Sequence, residues 1–172
     1  MTGVTPRWRP MSRADLPAAL AVADIVHPRY PEDPAIFAER LALYPAGCLV
    51  LMLGDEAIGY IVSHPWTYGA PPALNSLLGA LPLPPTTYYI HDIALLPRAR
   101  GTGAAKTVIA LLVDRAEASG LLNLSLIAVN DSVSFWQRHG FAETSDPALD
   151  EKLRSYDDSA RFMVRRCGQT RA

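Results

Sequence analysis

Hydrophobic and polar positions along the first part of the chain indicate one strand and two helices. Residues 4–9 fit a short strand, and Ser12 followed by Asp15 is typical of a helix N-terminus ahead of an apolar run. This helix is expected to end before Pro28, because the residue that precedes a proline is disfavoured in helical geometry. Apolar positions at helical spacing predict a second helix over residues 34–43.

Two almost continuous apolar runs follow the predicted helices. Residues 48–53 and 57–63 are joined by a short Gly-Asp-Glu segment and predict a β-hairpin. The next segment, residues 64–87, contains six prolines and is predicted to be an irregular loop. A loop this long in a small domain is usually functional or disordered, and its many apolar side chains argue against disorder. His27 and His64 each precede a proline and are expected at the surface.

The second half of the chain alternates between strand and helix patterns. A strand is predicted over residues 88–96, followed by a glycine-containing turn and a helix over residues 104–118. Residues 121–129 are nearly all apolar, as expected for a strand that is covered on both faces. The remaining predicted elements are a short helix at 132–138, a strand at 141–144, a polar surface loop at 146–159 and a final strand at 161–165. This order predicts an α/β domain with a mixed sheet.

The composition is that of a single globular domain. The 172 residues are 49% hydrophobic, and neither a repeat nor a boundary divides them, so one domain is predicted over residues 1–172. The net charge is −1, with no basic stripe, and no apolar run approaches the roughly 18 residues of a membrane-spanning helix. Neither nucleic acid nor a membrane is therefore expected as a partner.

The cysteines and the N-terminus bear on metal binding and on the compartment. Cys48 and Cys167 are far apart and lack metal-ligand spacing, so no metal site is predicted. Lone thiols of this kind are typical of a reducing compartment. The N-terminal residues lack the apolar core of a signal peptide. These features favour a cytoplasmic protein.

The glycine-containing turn before the third predicted helix has the features of an anion site. Small residues let the backbone approach a ligand closely, and the N–H groups at a helix start favour an anion. Two common phosphate-binding motifs nevertheless fail at required positions. A P-loop needs glycine where Arg100 stands. The dinucleotide fingerprint needs glycine at Lys106 and an acidic residue after the next strand, where Asn130 stands.

A third pattern, Gln/Arg-x-x-Gly-x-Gly/Ala, fits this turn. Residues 100–105, RGTGAA, match it and follow a strand that ends near Pro97. Arg98 satisfies the same pattern in an offset register, but Arg100 keeps the usual spacing after the proline and places Ala105 at the small position. Taken alone, so short a pattern fits an ordinary strand–turn–helix joint equally well.

A second motif lies one helix and one strand later. Residues 130–141, NDSVSFWQRHGF, closely resemble the segment Asn-x-x-Ala-x-x-x-Tyr-x-x-x-Gly-Phe of the GNAT superfamily, the acyl-CoA-dependent N-acyltransferases. Both motifs have the order and separation found in that family, and the resemblance covers nearly the whole chain. It implies an α/β fold with a mixed, mostly antiparallel central sheet, a splayed parallel strand pair and flanking helices.

The resemblance also implies acetyl-CoA as the acyl donor, with no metal. The pantetheine arm would pair with the backbone of Ile93, Ala94 and Leu95. Asn130 would contact the pantetheine or thioester region, or alternatively cap the following helix. Trp136, at the family's tyrosine position, is included among the expected cofactor contacts. The pyrophosphate would be held by Arg100, Gly101, Thr102, Gly103, Ala104, Ala105 and Lys106.

Acyl transfer from a thioester to an amine needs a proton acceptor for the incoming ammonium. The departing thiolate often takes a proton from the tyrosine four places before Gly-Phe in this family. Here that position is Trp136, and an indole N–H is not a usable acid. A thiol is a good leaving group and can depart as thiolate. Ser134, acting through water, and Tyr88 or Tyr89 are the alternative proton donors.

His91 is the predicted general base. Side chains alternate along a strand, so His91 is expected to share a face with Tyr89, Ile93 and Leu95 and to meet the acceptor near the thioester. Asp92, predicted with His91 as part of the catalytic group, would point to the opposite face unless a bulge intervenes, and could anchor a neighbouring loop. A hydrogen-bonded structural His–Asp pair is the alternative for both residues.

Two segments are expected to form the acceptor site, residues 27–33 and the proline-rich loop. Aromatic side chains there could line an apolar pocket and acidic ones could attract a cation, or the aromatics could simply pack the loop onto the core. The candidate residues are Tyr30, Trp66, Tyr68, Glu32 and Asp33.

Together these features predict an N-acetyltransferase that moves an acetyl group from acetyl-CoA directly to a primary amine of a small molecule or peptide. The alternative is a catalytically weakened acyl-CoA-binding or sensing domain of the same fold, which Trp136 would favour. The sequence leaves open whether the protein forms a homodimer.

Overall fold

The computed structural model describes residues 3–154 and 156–168, which form a seven-stranded sheet with helices on both faces. None of the helices in these ranges has the length and apolar character needed to cross a membrane. The strands are β1 (Arg7–Pro10), β2 (Cys48–Leu53), β3 (Glu56–Trp66), β4 (Thr87–Leu95), β5 (Asn123–Ala128), β6 (Ala142–Glu143) and β7 (Arg161–Arg166). The helices are α1 (Leu16–Val26), α2 (Pro34–Leu43), α3 (Ala104–Ala118), α4 (Val133–Arg138) and α5 (Pro147–Arg154).

The strand order in the sheet is β1-β2-β3-β4-β5-β7-β6. β4 and β5 run parallel, and the other neighbouring strands are antiparallel. The predicted α/β fold, with a mixed and mostly antiparallel sheet flanked by helices, is therefore confirmed. The predicted bounds of α2 and α3 match the structure, while β1 begins later than residue 4.

The parallel pair is splayed. Within the described residues, β4 and β5 are in register only at Tyr88 with Leu124 and at Tyr89 with Ser125. Both strands continue beyond these pairs, β4 to Leu95 and β5 to Ala128, without further ladder partners for each other. The backbone groups on the facing edges of the two strands are thus left for another partner.

A β-bulge interrupts β4 at His91. Val62 of β3 is paired with Asp92 and the next residue, Ser63, is paired with Ile90, so His91 is the extra residue. A bulge of this kind breaks the strict alternation of side chains along a strand. Ile90 and Ile93 both pack into the core beneath α3, although three positions separate them.

The bulge makes one prediction wrong. His91 does not share a face with Ile93, because the alternation changes phase between the two residues. His91 and Asp92 instead both contact the segment that joins α1 to α2, through Glu32 and His27 respectively. The bulge is also the reason that Asp92 contacts the same segment as His91 and does not point to the opposite face, as strict alternation would require.

Two apolar layers hold the helices on the sheet. On one face α3 contributes Ile109 and Leu112 to a core shared with the middle strands. On the other face α1 and α2 contribute Val22 and Phe37, which pack around Tyr60 of β3. Each helix buries one apolar stripe, as expected for helices that cover a sheet.

Two further sequence predictions are wrong. The segment expected to be a surface loop contains α5, whose Leu149 and Leu153 are four residues apart and pack against Phe162 of β7. β3 continues to Trp66, so His64 lies in a strand and is only 1% exposed rather than at the surface. His27 was also expected at the surface, but it is partly buried against β4.

Candidate active site

A cleft opens where β4 and β5 part. Its volume is about 380 Å³. Apolar side chains of both strands, such as Ile93 and Leu126, form its walls. Arg100, Asn130 and Trp136, three residues named by the two sequence motifs, lie on its rim and walls. The structure thus brings the two motifs together at one opening, which we call the β4–β5 cleft.

The turn at the start of α3 has the backbone conformation that its glycines allow. Gly101 and Gly103 have φ values of 74° and 82°, a region that strains residues with a side chain. Gly103 is the N-cap of α3 and has no side chain to bond the first N–H groups of the helix, although Oγ1 of Thr102 accepts a long bond of 3.4 Å from the N–H of Ala104. These donors and the helix dipole form a site that favours an anion.

The structure distinguishes between the two possible registers of this motif. Arg98 forms an ion pair with Glu56 at the exposed end of β3. Arg100 lies on the rim of the β4–β5 cleft. The register that uses Arg100 therefore places the arginine at the cleft, whereas the register that uses Arg98 does not.

Asn130 lies at the end of β5, with a φ of 54°. Its side-chain amide lies 3.3 Å from Nδ1 of His27. The alternative prediction that Asn130 caps α4 is wrong, because Ser132 is the N-cap residue of that helix. The side chain of Ser132 makes no capping hydrogen bond. Asn130 therefore bridges the cleft toward α1.

Trp136 is 5% exposed and lines the cleft from α4. Its ring makes edge contacts with Phe135 and Phe141, with ring centroids 5.0 and 5.3 Å apart. The tryptophan at the family's tyrosine position is thus a packed wall residue.

His27 and Asp92 form a hydrogen-bonded pair at the inner end of the cleft. Nε2 of His27 is 2.8 Å from Oδ1 of Asp92 and 3.0 Å from the carbonyl oxygen of Ile93. The hydroxyl of Tyr60 donates to Oδ2 of the same carboxylate. Because the Ile93 carbonyl can only accept, Nε2 carries a hydrogen, and Nδ1 faces Asn130 across the cleft.

The environments of this pair shift both pKa values. Burial alone lowers the pKa of His27, but the hydrogen bond and charge of Asp92 outweigh it, and the pKa is raised. Burial alone raises the pKa of Asp92, but the hydrogen bond and charge of His27, with help from Tyr60, lower it overall. The pair therefore favours an imidazolium beside a carboxylate.

His91 forms a second histidine–carboxylate pair. Its Nε2 donates to Oε1 of Glu32 at 2.8 Å, and the two side chains are 8% and 9% exposed. The other oxygen of Glu32, Oε2, is buried and has no hydrogen-bond partner in the described structure. Buried carboxylate oxygens are usually bonded, so this atom is an exception among the described residues.

A smaller cavity of about 60 Å³ adjoins the β4–β5 cleft on the side of α1. We call it the side cavity. Tyr30, Glu32, Tyr89 and Tyr156 line it, together with Leu74 and its neighbours in the proline-rich loop. The two cavities share five lining residues: His27, His91, Asp92, Ile127 and Val129. His27 and His91 therefore lie at the boundary between the two cavities, where each can contact a molecule in either one.

Only some of the residues predicted to form the acceptor site line the side cavity. Tyr30 and Glu32 line the side cavity. Trp66 instead donates to the carbonyl of Ala70, and Tyr68 packs against Phe162, so these two aromatics fix the loop, as the alternative prediction proposed. Asp33 accepts from the N–H of Ala35 and caps α2 instead of lining the cavity.

The three side chains predicted as proton donors for the thiolate are poorly placed or weak acids. Ser134 is exposed on α4 and is not among the residues that line either cavity. Tyr88 is bonded to Ser63 and buried, and burial raises its pKa. Tyr89 lines the side cavity, and burial raises its pKa as well, which weakens it as an acid. Their catalytic roles stay predictions.

Sequence reasoning missed His27 and Tyr156. His27 comes four residues after Ala23, on the stripe of α1 that faces the sheet, and this spacing is the signal that could have placed it inward. Tyr156 follows α5, which lies in the segment predicted to be a polar surface loop. Within the described ranges no group of three or more His, Cys, Asp or Glu side chains is arranged to hold a metal ion.

Comparison with known proteins agrees with this geometry. A model of the acetyltransferase (GNAT) family matches residues 11–141, most of the chain. The chain belongs to the GNAT acetyltransferase family. No curated protein matched its sequence.

Solved structures share the GNAT fold at low sequence identity. Ard1 from Thermoplasma volcanium is 18% identical, with a TM-score of 0.72 over 95% of this chain and 98% of that one. The GphF GNAT-like decarboxylase in complex with isobutyryl-CoA is 14% identical, with a TM-score of 0.78 over 94% and 99%. The ribosomal-protein-S18-alanine N-acetyltransferase from Escherichia coli is 15% identical, with a TM-score of 0.66 over 97% of both chains.

Proposed function

We propose that this GNAT protein transfers an acetyl group from acetyl-CoA to the primary amine of a small molecule or peptide. The observation that carries the proposal is the meeting of two cavities at His27 and His91, with one cavity opening between the splayed strands. Structures of similar fold support a CoA-derived donor, since one holds isobutyryl-CoA and another, the NatC complex, holds CoA and a peptide.

The β4–β5 cleft is the proposed site for acetyl-CoA. The backbone of Ile93 to Leu95 would pair with the pantetheine arm on the edge that faces away from β3, where the Ile93 carbonyl also accepts from His27, as the family resemblance implies. Asn130 would lie beside the thioester region. The pyrophosphate would lie against the N–H groups of residues 101–106, with Arg100 beside it. When bound, the cofactor supplies the activated acyl group.

His91 is proposed to take the proton of the incoming ammonium. It lies at the boundary of the two cavities, and its bond to Glu32 orients the ring and stabilises the imidazolium that forms. The free amine then attacks the thioester carbon, a C–N bond forms and the C–S bond breaks.

His27 is proposed to protonate the departing sulfur in place of the missing tyrosine. The imidazolium, favoured by Asp92, carries a hydrogen on Nδ1, which faces the cleft. That proton passes to the thiolate, giving CoA with a free thiol, and the imidazole recovers a proton from solvent. The tetrahedral adduct loses its second nitrogen proton, so one proton is released for each amide formed.

A thiol-release assay tests the function. The protein is incubated with acetyl-CoA and a panel of primary amines, and free thiol is measured against a sample without amine. Amine-dependent thiol release is expected. CoA binding without thiol release across the panel would instead support the sensing domain that Trp136 favours.

Replacing the base should affect chemistry more than binding. His91→Gln is expected to lower kcat on the order of 100-fold, the usual contribution of a general base, while CoA affinity stays within about twofold. Single-turnover kinetics and equilibrium CoA titration measure the two effects. Unchanged turnover would remove His91 from the mechanism.

The pH profile tests the proposed acid. His27 must be protonated, so kcat of the wild type should fall as pH rises through its raised pKa. His27→Gln should be slower and should lack this alkaline fall. If the variant keeps both the rate and the alkaline limb of the wild type, His27 is not the acid.

A further inference from the structure

Two arginines and a lysine lie around the end of α4. Arg165 of β7 donates a hydrogen bond from Nη1 to the carbonyl of His139 at 2.7 Å, directly after that helix. Its guanidinium lies against Gly140, where an added Cβ would be 3.4 Å from Nε. Arg138 is the exposed last residue of α4, and Lys106 is exposed in the first turn of α3. We call Lys106, Arg138 and Arg165 the basic patch.

The pKa of His139 shows that the three cations act on the same place. This pKa is lowered, first by burial and then by the charges of Arg138, Arg165 and Lys106. No carboxylate contributes to the shift. Within the described ranges none of the three cations forms an ion pair with a carboxylate. An anion at the basic patch would therefore meet three positive charges that the protein does not neutralise.

The basic patch adjoins the proposed cofactor site on two sides. The ring of His139 contacts Phe135, with ring centroids 4.8 Å apart, and Phe135 lines the β4–β5 cleft. The backbone of Lys106 belongs to the turn that is proposed to hold the pyrophosphate, while its side chain is exposed. An anion on the basic patch would therefore be a neighbour of a pyrophosphate on that turn.

CoA carries a further anionic group next to its pyrophosphate. The ribose bears the pyrophosphate on its 5′ carbon and a phosphate monoester on its 3′ carbon, so only the sugar separates the two groups. A phosphate monoester has close to two negative charges at neutral pH, because its second pKa is about 6. Arginine is well suited to such a group, since its guanidinium offers paired N–H donors.

We propose that the basic patch binds the 3′-phosphate of CoA, so that the acyl donor is a free CoA thioester and not an acyl group on the phosphopantetheine arm of a carrier protein. The inference deepens the proposed function, on which it rests, because it names the class of donor. An arm attached to a protein ends in a phosphodiester and lacks the 3′-phosphate. The basic patch would then have no partner, and the difference in affinity favours free CoA.

Equilibrium binding of CoA and two analogues tests the inference without catalysis. The full chain is titrated calorimetrically with CoA, with dephospho-CoA, which lacks only the 3′-phosphate, and with 4′-phosphopantetheine, which lacks the nucleotide. CoA is expected to bind at least roughly tenfold more tightly than dephospho-CoA, and 4′-phosphopantetheine should bind most weakly. The preference for CoA over dephospho-CoA should shrink at high salt, because salt screens exposed charges.

Matched arginine variants identify the residue responsible. Arg138→Gln is expected to weaken CoA binding roughly fivefold and to leave dephospho-CoA binding within about twofold, because only the 3′-phosphate meets this exposed side chain. Arg166→Gln is the control. Arg166 is exposed and follows Arg165 on β7, so its side chain points to the opposite face of the sheet. The control changes the net charge equally and should bind both ligands as the wild type does.

Several results would overturn the inference. Equal binding of CoA and dephospho-CoA by the wild type would contradict it, and this comparison needs no variant. An equal loss of affinity for both ligands in Arg138→Gln would also contradict it, because dephospho-CoA binding reports whether the variant is folded and keeps the shared part of the site. Binding of 4′-phosphopantetheine as tight as that of CoA would contradict the class of donor.

These outcomes are distinguishable from failure of the proposed function. A preference for CoA over dephospho-CoA that depends on Arg138, without amine-dependent thiol release, leaves the inference standing and removes the enzyme. Thiol release with equal kcat/KM for acetyl-CoA and acetyl-dephospho-CoA does the reverse. Absence of CoA binding would overturn both.

Discussion

His64 is a buried histidine whose ring nitrogen Nε2 has no hydrogen-bond partner in the described structure. Its Nδ1 donates to the carbonyl of Pro65 at 2.9 Å, and its ring lies between those of Trp66 and Tyr89. Burial lowers the pKa of His64 to about 3, although the bond to the Pro65 carbonyl opposes the shift, and the charge of Arg40 adds a smaller lowering. The folded protein therefore holds this side chain neutral, whereas the unfolded chain protonates it near its ordinary pKa.

Stability should consequently fall in acid through His64. Between its ordinary pKa and about 3 the unfolded chain binds the proton and the folded chain does not, so the free energy of unfolding decreases as pH falls. From pH 7 to pH 4 the wild type should lose about 3 kcal/mol more than His64→Phe, which cannot titrate. Urea unfolding at the two pH values measures the difference. Parallel losses in both proteins would contradict the assignment.

At the scale of single residues, the sequence predicted the β4–β5 cleft better than the side cavity. Arg100, Asn130 and Trp136 belong to motifs whose spacing fixes their position, and all three lie at the cleft. His27 and Glu32 come from a segment between two helices, and their partners are residues of β4 far away along the chain. Local sequence patterns carry no signal for such pairings.

The bulge in β4 determines which residues of β4 face both the β4–β5 cleft and the side cavity. An extra residue at His91 turns both His91 and Asp92 toward the segment that joins α1 to α2. Bulges depend on the register between two strands, which the alternation of one strand does not reveal. The sequence did not predict α5 for a related reason. Leu149 and Leu153 are only two apolar residues in a polar segment, and the contact with β7 that buries them is not visible in the local pattern.

The turn before α3 provides a direct test of the anion site. Gly103→Val is expected to weaken CoA binding at least roughly tenfold, because a β-branched residue cannot hold a φ of 82° and crowds the pyrophosphate position. Gly120→Val is the matched control. Its φ is 72°, so the backbone strain is comparable, but it lies at the other end of α3. The control should lose about 1–2 kcal/mol of stability and bind CoA normally. Equal CoA affinity in both variants would contradict the site.

The proline-rich loop is anchored to α2 by one carboxylate. Glu39 accepts from the N–H groups of Leu78 and Gly79 at 2.7 and 3.0 Å and pairs with the buried Arg40. Arg40 in turn donates to the carbonyl of Ser76 at 3.0 Å. The loop is therefore irregular but held by specific bonds, in agreement with its apolar composition.

Removing this anchor should loosen the loop. Glu39→Gln is expected to lower the free energy of unfolding by about 1–3 kcal/mol, because the charge-assisted bonds to two amides are lost. Hydrogen exchange at Leu78 and Gly79 should become faster. Glu143→Gln, at an exposed carboxylate, should change stability by less than about 0.5 kcal/mol. Unaltered exchange in the loop would show that Glu39 is not its anchor.

At the scale of the whole molecule, two short motifs were enough to predict the fold and the family. Through the family resemblance, these motifs imply a strand–turn–helix unit and a strand–helix unit whose two strands form a splayed parallel pair. The structure contains that pair, β4 and β5. The side cavity could not be predicted, because it is assembled from the segment that joins α1 to α2, the proline-rich loop, β4, the end of β5 and the segment after α5.

The most direct test of the account is a crystal structure of the protein with acetyl-CoA. The account predicts pyrophosphate oxygens within hydrogen-bond distance of the backbone N–H groups of residues 101–106. It also predicts the pantetheine arm between β4 and β5, with the thioester between His27 and His91. A pyrophosphate bound elsewhere, or a pantetheine arm outside the β4–β5 cleft, would contradict it.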